Sequence, residues 1–375
     1  MYNLNNFISD IKLELSSYDT NFGGHGLDGK YVIFESDDWG SIRMPNRNVF
    51  ESLLKAGIPV NKSVYCRFDS LESNDDLEFL LEVFTKHRNV AGVVPCLTMN
   101  FVTANPDFEK IRENEFQSYF YEPISRTYEN SVKSSAILKI LQQGIDTKAC
   151  IPQFHGRDHV NVPFWLKLLK TDKFFRIAFD HGVWGLSRDI YNNHKCSVQA
   201  TYDSIDEAYT KGSIREGLQL FEDQFGFKSK SFIANNFIWS NNLEGVLFEG
   251  GVIHYQTAKF QLIPFGNSAK RSKVRRPFGS INRFGQTYAP RNCFYEPTEF
   301  SHSYTDTLKQ ISRAFMYKKP AIVSMHRINF SGSMDLKKRD RNLENLDNLL
   351  SAIIKMWPDV QFISSHDIYG LIKNS

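Results

Sequence analysis

Short apolar runs and longer amphipathic stretches alternate along most of the chain. The apolar runs are rich in β-branched and aromatic residues, which is typical of strands, whereas the stretches between them repeat at helical spacing. This alternation predicts an α/β fold in which seven or eight mostly parallel strands form a barrel. The predicted strands are Tyr31–Glu35, Val90–Leu97, Ala149–Phe154, Arg176–Phe179, Ser231–Ala234, Val252–Tyr255, Ala321–Met325 and Val360–Ile363.

Helical periodicity is clearest in the stretches that separate these runs. The last of them carries one apolar stripe, formed by Leu343, Leu346, Leu349, Leu350, Ile353 and Ile354. The predicted helices are Asp75–Lys86, Ser131–Gln143, Pro163–Leu169, Ser204–Phe225, Thr305–Tyr317 and Asn342–Met356.

The 375 residues contain no internal repeat, low-complexity tract or Pro- or Gly-rich linker that would divide the chain. We therefore expect a single domain over residues 1–375. Two irregular stretches, near 98–130 and 265–300, are predicted to be long inserted loops over the mouth of the sheet, since loops of that length are uncommon unless they serve a function.

Composition excludes several classes of partner. A net charge of +3 is too small to indicate nucleic-acid binding, and no uncharged apolar stretch of ~20 residues predicts a membrane span. The five cysteines are widely spaced and form no Cys-x-x-Cys, so neither a disulfide framework nor a thiolate zinc site is indicated. With no basic, apolar leader at its start, the chain is expected to be cytoplasmic. The sequence does not indicate an oligomeric state.

Acidic and imidazole side chains follow three of the predicted strands. Asp37 and Asp38 follow the first, His155 and His159 the third, and His326 a late one. Because strand ends converge at one face of a barrel, we expect these side chains to lie close together. Neighbouring carboxylates on an extended chain point in opposite directions, so one could ligate a cation while the other moves a proton. Taken alone, either Asp is as well explained as a cap of the following turn.

The histidines are the residues that make this a candidate metal site. His155 and His159 are four positions apart, which suits a borderline cation such as zinc, and a strand-end Asp would add an oxygen while leaving positions for water and substrate. His326 titrates near neutral pH and could protonate a leaving group. His366 has a similar placement, so either of these two could be the acid. A lone histidine is otherwise more often a hydrogen-bonded structural residue.

Three segments resemble motifs of the polysaccharide deacetylases of the NodB-homology type, which are carbohydrate esterases. Glu35-Ser-Asp-Asp-Trp-Gly40 is similar to Thr-Phe-Asp-Asp-Gly with one extra residue before the glycine. The His155 and His159 pair matches His-x-x-x-His, and Ser324-Met-His326 is similar to a closing Leu-x-His. The chain departs from the family in Phe232–Trp239, where the family has an Arg-x-x-Pro segment whose arginine orients the base and this chain has asparagines.

The resemblance implies a fold and a role for each matched residue. The fold would be a distorted (β/α) barrel. Asp37 would be the general base and His326 the general acid. Asp38, His155 and His159 would hold one divalent cation, most simply Zn²⁺, with Co²⁺, Ni²⁺ and Mn²⁺ as alternatives.

The activity expected from this resemblance is removal of an N-acetyl or O-acetyl group from a glycan, or a glycan precursor, that contains an amino sugar. Trp39 and Trp239 are candidates to stack on sugar faces, and Arg157 and Asn236 to bond hydroxyl groups.

Two alternatives keep the same barrel. In the first, Asp37 and a second carboxylate, Asp158 or Asp180, cleave a glycosidic bond without a metal ion. In the second, the protein binds carbohydrate but is catalytically inactive, which the unmatched arginine favours.

Overall fold

The computed structural model describes residues 20–187, 190, 197–203, 206–264 and 271–373. The strands are β1 (Tyr31–Trp39), β2 (Leu97–Val102), β3 (Ala104–Pro106), β4 (Tyr121–Pro123), β5 (Cys150–Gly156), β6 (Ser231–Ile233), β7 (His254–Thr257), β8 (Phe260–Pro264), β9 (Arg271–Arg275), β10 (Thr287–Pro290), β11 (Cys293–Phe294), β12 (Ala321–His326) and β13 (Gln361–Phe362). Nine of them form one parallel sheet in the order β10-β7-β6-β5-β2-β1-β12-β11, with β13 beside β1. Two antiparallel ribbons, β3 with β4 and β8 with β9, lie outside it.

Helices connect the strands and cover the sheet. The α-helices are α1 (Arg47–Lys55), α2 (Val64–Phe68), α3 (Asn74–Thr85), α4 (Phe108–Glu113), α5 (Ile124–Glu129), α6 (Ile137–Asp146), α7 (Val162–Thr171), α8 (Lys173–Asp180), α9 (Glu207–Phe225), α10 (Glu244–Glu249), α11 (Pro297–Phe300), α12 (Tyr304–Met316), α13 (Leu336–Met356) and α14 (Ile368–Lys373). Short 3-10 helices span Val60–Lys62, Asn235–Phe237, Asn241–Leu243 and Arg327–Asn329.

The sheet curls into a distorted (β/α) barrel. Its two edge strands, β10 and β11, are separated in sequence by Arg291 and Asn292 alone, so the two edges must lie side by side. The Arg291 N–H donates to the Thr257 carbonyl of β7, the neighbour of β10 (2.8 Å), and the Asn292 side-chain oxygen accepts from the Ile322 N–H of β12, the neighbour of β11 (2.8 Å). The predicted fold class is confirmed, and the chain crosses the seam of the barrel at Arg291.

Separate apolar cores hold the helices against the sheet. The largest lies between β1, β2 and β12 on one side and α3, α6 and α13 on the other. The predicted stripe of the last long helix faces it, with Leu346, Leu349, Leu350 and Ile353 fully buried. A second core joins α1, α7 and α8, and a third packs α9 on β5, β6 and β7. This packing leaves the carboxyl ends of the strands open for a site.

Two of the strand predictions are wrong. Arg176–Phe179 lies in α8, because Phe175, Ala178 and Phe179 bury one helical face and Asp172 caps the helix by accepting from the Phe174 N–H (2.9 Å). Val90–Leu97 is mostly a turn around Gly92 (φ 78°), and the strand begins only at Leu97. The other predicted strands are confirmed with shifted bounds.

The predicted helices are confirmed, although some begin elsewhere. The second starts at Ile137, and the last begins at Leu336, six positions before its predicted start at Asn342, where the Asp335 side chain caps it.

The expected inserted loops contain regular structure. Residues 98–102 belong to β2, and the rest of that stretch forms β3, α4, β4 and α5. In the second stretch, residues 265–270 lie outside the described residues, while β9, β10 and β11 occupy part of the remainder. Residues 98–102 make up most of β2, a central strand of the sheet, so the predicted loop begins too early in the chain.

Two expectations from composition bear on this fold. The cysteines that the structure describes, Cys66, Cys96, Cys150 and Cys293, are free thiols. Among the described helices, none combines the length and apolar character that a membrane span requires.

Candidate active site

A cleft of about 300 Å³ opens at the carboxyl ends of β1, β5, β6 and β12. Six residues singled out from the sequence line it, and these are Asp37, Asp38, His155, His159, Asn236 and His326. The remaining lining residues are Arg43, Tyr65, Gln199, Ala234, Phe237 and Glu299. The structure therefore brings the three strand-end motifs together in one place.

A β-bulge turns both carboxylates of β1 toward this cleft. The pairing of β1 with β2 shifts register between Ser36 and Trp39, and Asp38 has a φ of 75°. Such a bulge interrupts the alternation of side chains along a strand, so the expectation that Asp37 and Asp38 point apart fails here. Asp tolerates the left-handed region better than most residues, and conformations of this kind cluster at functional sites.

Asp38, His155 and His159 form a buried group whose donor atoms all lie within 4.8 Å of one another. The Oδ1 atom of Asp38 is 3.2 Å from Nε2 of His159 and 3.4 Å from Nε2 of His155. One carboxylate and two imidazole nitrogens at these separations suit a borderline divalent cation such as zinc.

The hydrogen bonds of His155 agree with a role as a metal ligand. Its Nδ1 lies 3.0 Å from the Ile233 carbonyl, which can only accept, so Nδ1 carries the proton and Nε2 keeps its lone pair. The Asn235 side-chain amide donates to that lone pair (3.1 Å). A cation bound at Nε2 would replace this contact.

Packing rather than a hydrogen bond orients His159. Its buried Nδ1 has no hydrogen-bond partner in the described part of the chain. The ring stacks on Trp184, with centroids 5.6 Å apart and planes 29° apart, and the Trp184 N–H is held by the Ile42 carbonyl (2.6 Å). Burial lowers the pKa of His159, and this effect outweighs the opposing charge of Asp38. The imidazole is therefore neutral near pH 7, as metal ligation requires.

A buried row of alternating charges supports the other oxygen of Asp38. Arg43 donates to Asp38 Oδ2 (3.1 Å) and to Asp69 (2.9 Å), and Arg327 donates to Asp69 (2.9 Å) and Glu72 (2.7 Å). Burial alone would raise the pKa of Asp38, but Arg43 and the neighbouring histidines hold it well below the ordinary value. Asp38 is ionised, with Oδ1 directed at the two imidazoles.

Asp37 is clamped by a buried arginine. Arg291 donates to both of its oxygens (2.6 and 2.7 Å), and the Asn100 amide adds a third hydrogen bond (2.7 Å). The Nε of Arg291 also binds Glu35 (2.6 Å). Burial would raise the pKa of Asp37, but the charge and hydrogen bonds of Arg291 lower it to about 2. The side chain is thus ionised and fixed in orientation.

Arg291, which clamps Asp37, is among the residues around the cleft that the sequence did not reveal. The resemblance placed a base-orienting arginine near Phe232–Trp239, whereas the structure supplies one from the seam between β10 and β11. Its local signal is weak, because β10 is only four residues long and was not predicted. The short run Thr287-Tyr-Ala-Pro290 directly before Arg291 is the feature of the sequence that could have marked it.

His326 forms a hydrogen-bonded pair with Glu296 at the edge of the cleft. Glu296 accepts from His326 Nδ1 (2.7 Å) and from the Asn329 amide (2.8 Å), and His326 Nε2 lies 3.8 Å from Asp37. Burial alone would lower the pKa of His326, but the charge of Glu296, helped by Asp37 and Asp38, raises it to about 10. The imidazolium therefore persists at neutral pH and carries a proton on the nitrogen nearest Asp37.

His366, the alternative acid, does not line the cleft. Its Nδ1 is 3.3 Å from the Gln153 amide, and its ring meets Phe227 edge-on. Burial lowers its pKa. Of the two histidines, only His326 is in position to act on a molecule bound in the cleft.

Three of the four predicted substrate contacts lie elsewhere. Trp39 and Trp239 are fully buried in separate cores, so neither face is open to a sugar. Arg157 is 4% exposed and is occupied by Asp158, Glu216 and Tyr209. The two tryptophans pack in apolar cores, and the arginine is held by two carboxylates and a tyrosine hydroxyl, so these three side chains lie outside the lining of the cleft. Asn236, by contrast, is exposed and lines the cleft.

Comparison with solved structures finds distant likenesses. A probable polysaccharide deacetylase from Pseudomonas aeruginosa PAO1 is 11% identical, with 96% of this chain and 94% of that one covered and a TM-score of 0.44. Puue allantoinase is 12% identical, with 92% and 90% covered and a TM-score of 0.44. The 4-alpha-glucanotransferase from Thermococcus litoralis is 10% identical over 91% of this chain, again with a TM-score of 0.44, and the match spans only 40% of that enzyme.

Comparisons of sequence gave no match. No protein-family model matches the chain, and no curated protein does. Likenesses at about one tenth identity do not assign a function to this chain.

Proposed function

We propose that the protein is a divalent-metal-dependent hydrolase that removes an N-acetyl group from an amino sugar. The observation that carries this proposal is the convergence of three elements in one buried cleft. They are the ligand group Asp38, His155 and His159, the arginine-clamped carboxylate of Asp37, and the protonated imidazole of His326. Together they supply the metal ligands, base and acid that amide hydrolysis requires.

Asp37 takes up the proton of the attacking water. With a pKa of about 2 it is ionised at neutral pH but is a weak base. Proton transfer to such a carboxylate from ordinary water, whose pKa is about 15.7, would cost on the order of 19 kcal/mol. Asp37 therefore acts only on a water that is already acidified. Asp38, His155 and His159 would hold a divalent cation, which would supply that acidification and polarise the acetyl carbonyl.

His326 completes the reaction by protonating the departing nitrogen. Water adds to the acetyl carbon to give a tetrahedral intermediate, and the C–N bond then breaks as the nitrogen takes the proton of His326, so that the products are acetate and a free amine. Glu296 holds the Nδ1 proton (2.7 Å), so the Nε2 proton is the one delivered, and the pKa of about 10 keeps it available at neutral pH.

The proposal is tested by loading the purified protein with Zn²⁺, Co²⁺, Ni²⁺ or Mn²⁺ and measuring acetate released from N-acetylated sugars and glycans. We expect about one metal ion per chain and acetate release that a chelator abolishes. A protein that binds no divalent cation while His155 and His159 are intact would refute the proposal. A cytoplasmic location remains a prediction.

Neither sequence-based alternative is favoured by the site. The second carboxylates offered for glycosidic cleavage lie off the cleft: Asp158 is buried against Arg157 (2.9 Å), and the side chain of Asp180 is 50% exposed in an ion pair with Arg112. The unmatched arginine had favoured an inactive binding protein, but Arg291 donates to Asp37 as a base-orienting arginine would, which supports the hydrolase proposal instead.

Replacing Glu296 with Gln should move the alkaline limit of activity to lower pH. An acid is active below its pKa and inactive above it, and loss of the Glu296 charge lowers the pKa of His326 from about 10. The fall of kcat/KM at high pH should therefore begin earlier in Glu296→Gln than in the native protein. An unchanged alkaline limit, measured with the same metal content, would show that His326 is not the acid.

Replacing Arg291 with Met should destabilise the fold strongly, because Glu35 and Asp37 would lose their buried counter-charge. Breaking a buried pair from one side costs about 3–5 kcal/mol in the free energy of unfolding. Urea unfolding at pH 7 measures this, and Arg215→Met is the matched control, since Arg215 is exposed and lies 3.7 Å from Glu249.

The same variant has a pH signature. The pKa of Asp37 is depressed, so the stability it contributes is present above its ordinary value of 3.8 and lost as pH falls toward about 2. The difference between Arg291→Met and the native protein should shrink in that window. A difference that stays constant down to pH 2 would contradict the clamp on Asp37.

A further inference from the structure

The reacting groups lie at the bottom of the cleft. Asp37 and Asp38 are each 3% exposed, and His155 and His159 are 2% and 6% exposed. An acyl group must therefore enter the cleft to reach them, and the unit that carries it must follow. The depth of the site limits which part of a larger molecule can react.

Segments from separate parts of the chain form the walls of the cleft. Tyr65 of α2 donates a hydrogen bond to Glu299 of α11 (3.2 Å), which joins two of these segments at the edge of the cleft. Gln199 contributes from residues 197–203, where its amide is held by the Gly185 carbonyl (3.0 Å). Asn236 and Phe237 contribute from the segment after β6, both with positive φ (57° and 56°). The lining therefore surrounds a pit.

The volume of the pit suits one small unit. At about 300 Å³ it lies at the lower end of ligand clefts, which span roughly 300–1,000 Å³. Three other cavities lie against α3 and α13, around α4 and β4, and between α9 and α10, and none of their lining residues lines this cleft. No neighbouring cavity among these three extends the pit into a groove for flanking sugars.

The lining is suited to a single sugar ring. Tyr65 and Phe237 offer aromatic surface, while Gln199 and Asn236 offer hydrogen-bonding groups for hydroxyls. This combination matches an amino sugar better than a purely apolar amide. One sugar unit can make all of these contacts, and no second unit is needed to fill the cleft.

We propose that the site accepts one N-acetylated sugar unit at the end of a molecule, either a free monosaccharide or a terminal residue, and excludes internal units of a glycan chain. The proposal rests on the deacetylase function proposed above. The reaction is unchanged: water adds, the C–N bond breaks, and acetate and the free amine form.

The test compares chain lengths with one Zn²⁺-loaded protein preparation. The substrates are N-acetylglucosamine, N-acetylgalactosamine, N-acetylmannosamine and the pentamer of N-acetylglucosamine, with acetate quantified and the deacetylated positions mapped by mass spectrometry. We expect turnover of at least one monosaccharide and loss of at most one acetate from the pentamer, at a chain end. Loss of acetate from internal units would overturn the size limit while leaving the deacetylase function intact. No acetate from any of these substrates would contradict both.

Two variants of Tyr65 test directly whether the wall of the cleft excludes internal sugar units. Tyr65→Ala opens the cleft beside Glu299, so its rate on internal units of the pentamer, relative to its rate on the monosaccharide, should rise at least about tenfold. Tyr65→Phe removes only the hydroxyl and should keep the native ratio. Because each ratio is taken within one protein, a general loss of activity or stability cancels. An unchanged ratio in Tyr65→Ala would contradict the proposal.

Discussion

Asp37→Asn is expected to lower the rate of acetate release by about 10²–10⁴-fold, the usual contribution of a general base. The amide is nearly the same size as the carboxylate but cannot take up a proton, and Asp37 is not among the three residues that we propose as metal ligands. Metal content should therefore stay at the native level. Parallel measurements of acetate release and bound metal separate these two effects.

A surface carboxylate provides the control for this prediction. Asp180→Asn removes the same charge from a side chain that is 50% exposed and lies off the cleft, so its activity should match the native protein. Loss of the Asp37 charge also leaves Glu35 as the one carboxylate that Arg291 binds among the contacts described above. Thermal unfolding should therefore be recorded for each variant. A folded Asp37→Asn protein with native activity would remove Asp37 from the mechanism.

His155→Ala and His159→Ala should each weaken divalent metal binding by more than about 100-fold, which exceeds the loss seen when an outer partner of a ligand is removed. Each variant deletes one of the two imidazole nitrogens that the group of Asp38, His155 and His159 could offer to a cation. Titration calorimetry with Zn²⁺ measures the affinity directly. His366→Ala is the matched control, because His366 is off the cleft, and its affinity should be native.

Thermal unfolding gives a second readout of the same prediction. A ligand at 100 times its Kd stabilises the folded protein by about 2.7 kcal/mol. Zn²⁺ should therefore raise the Tm of the native protein and of His366→Ala, but not that of His155→Ala or His159→Ala. Equal Tm shifts in all four proteins would place the cation elsewhere.

The sequence revealed the strands that carry the site because their signals are local. The runs before Asp37, His155 and His326 are apolar and end in residues with ligand or acid–base chemistry, and parallel strands bring their carboxyl ends to one face. Their convergence follows from the fold class alone. The distances among the side chains do not, since they depend on packing.

The parts that the sequence did not reveal depend on long-range structure. Arg291 reaches Asp37 only because the sheet closes on itself at that residue. The bulge at Asp38 depends on the register between β1 and β2. Trp39 and Trp239 have aromatic rings suited to sugars, but both side chains are buried in apolar cores. The residues that bury them are far away in sequence.

The most direct test is a crystal structure of the protein soaked in Zn²⁺, with anomalous differences recorded at the zinc edge. We expect one strong peak about 2.0–2.2 Å from Asp38 Oδ1, His155 Nε2 and His159 Nε2, with the Asp37 carboxylate beside it and still held by Arg291. The contrary result is clear density for these side chains at saturating zinc with no peak between them, or imidazoles turned away from Asp38.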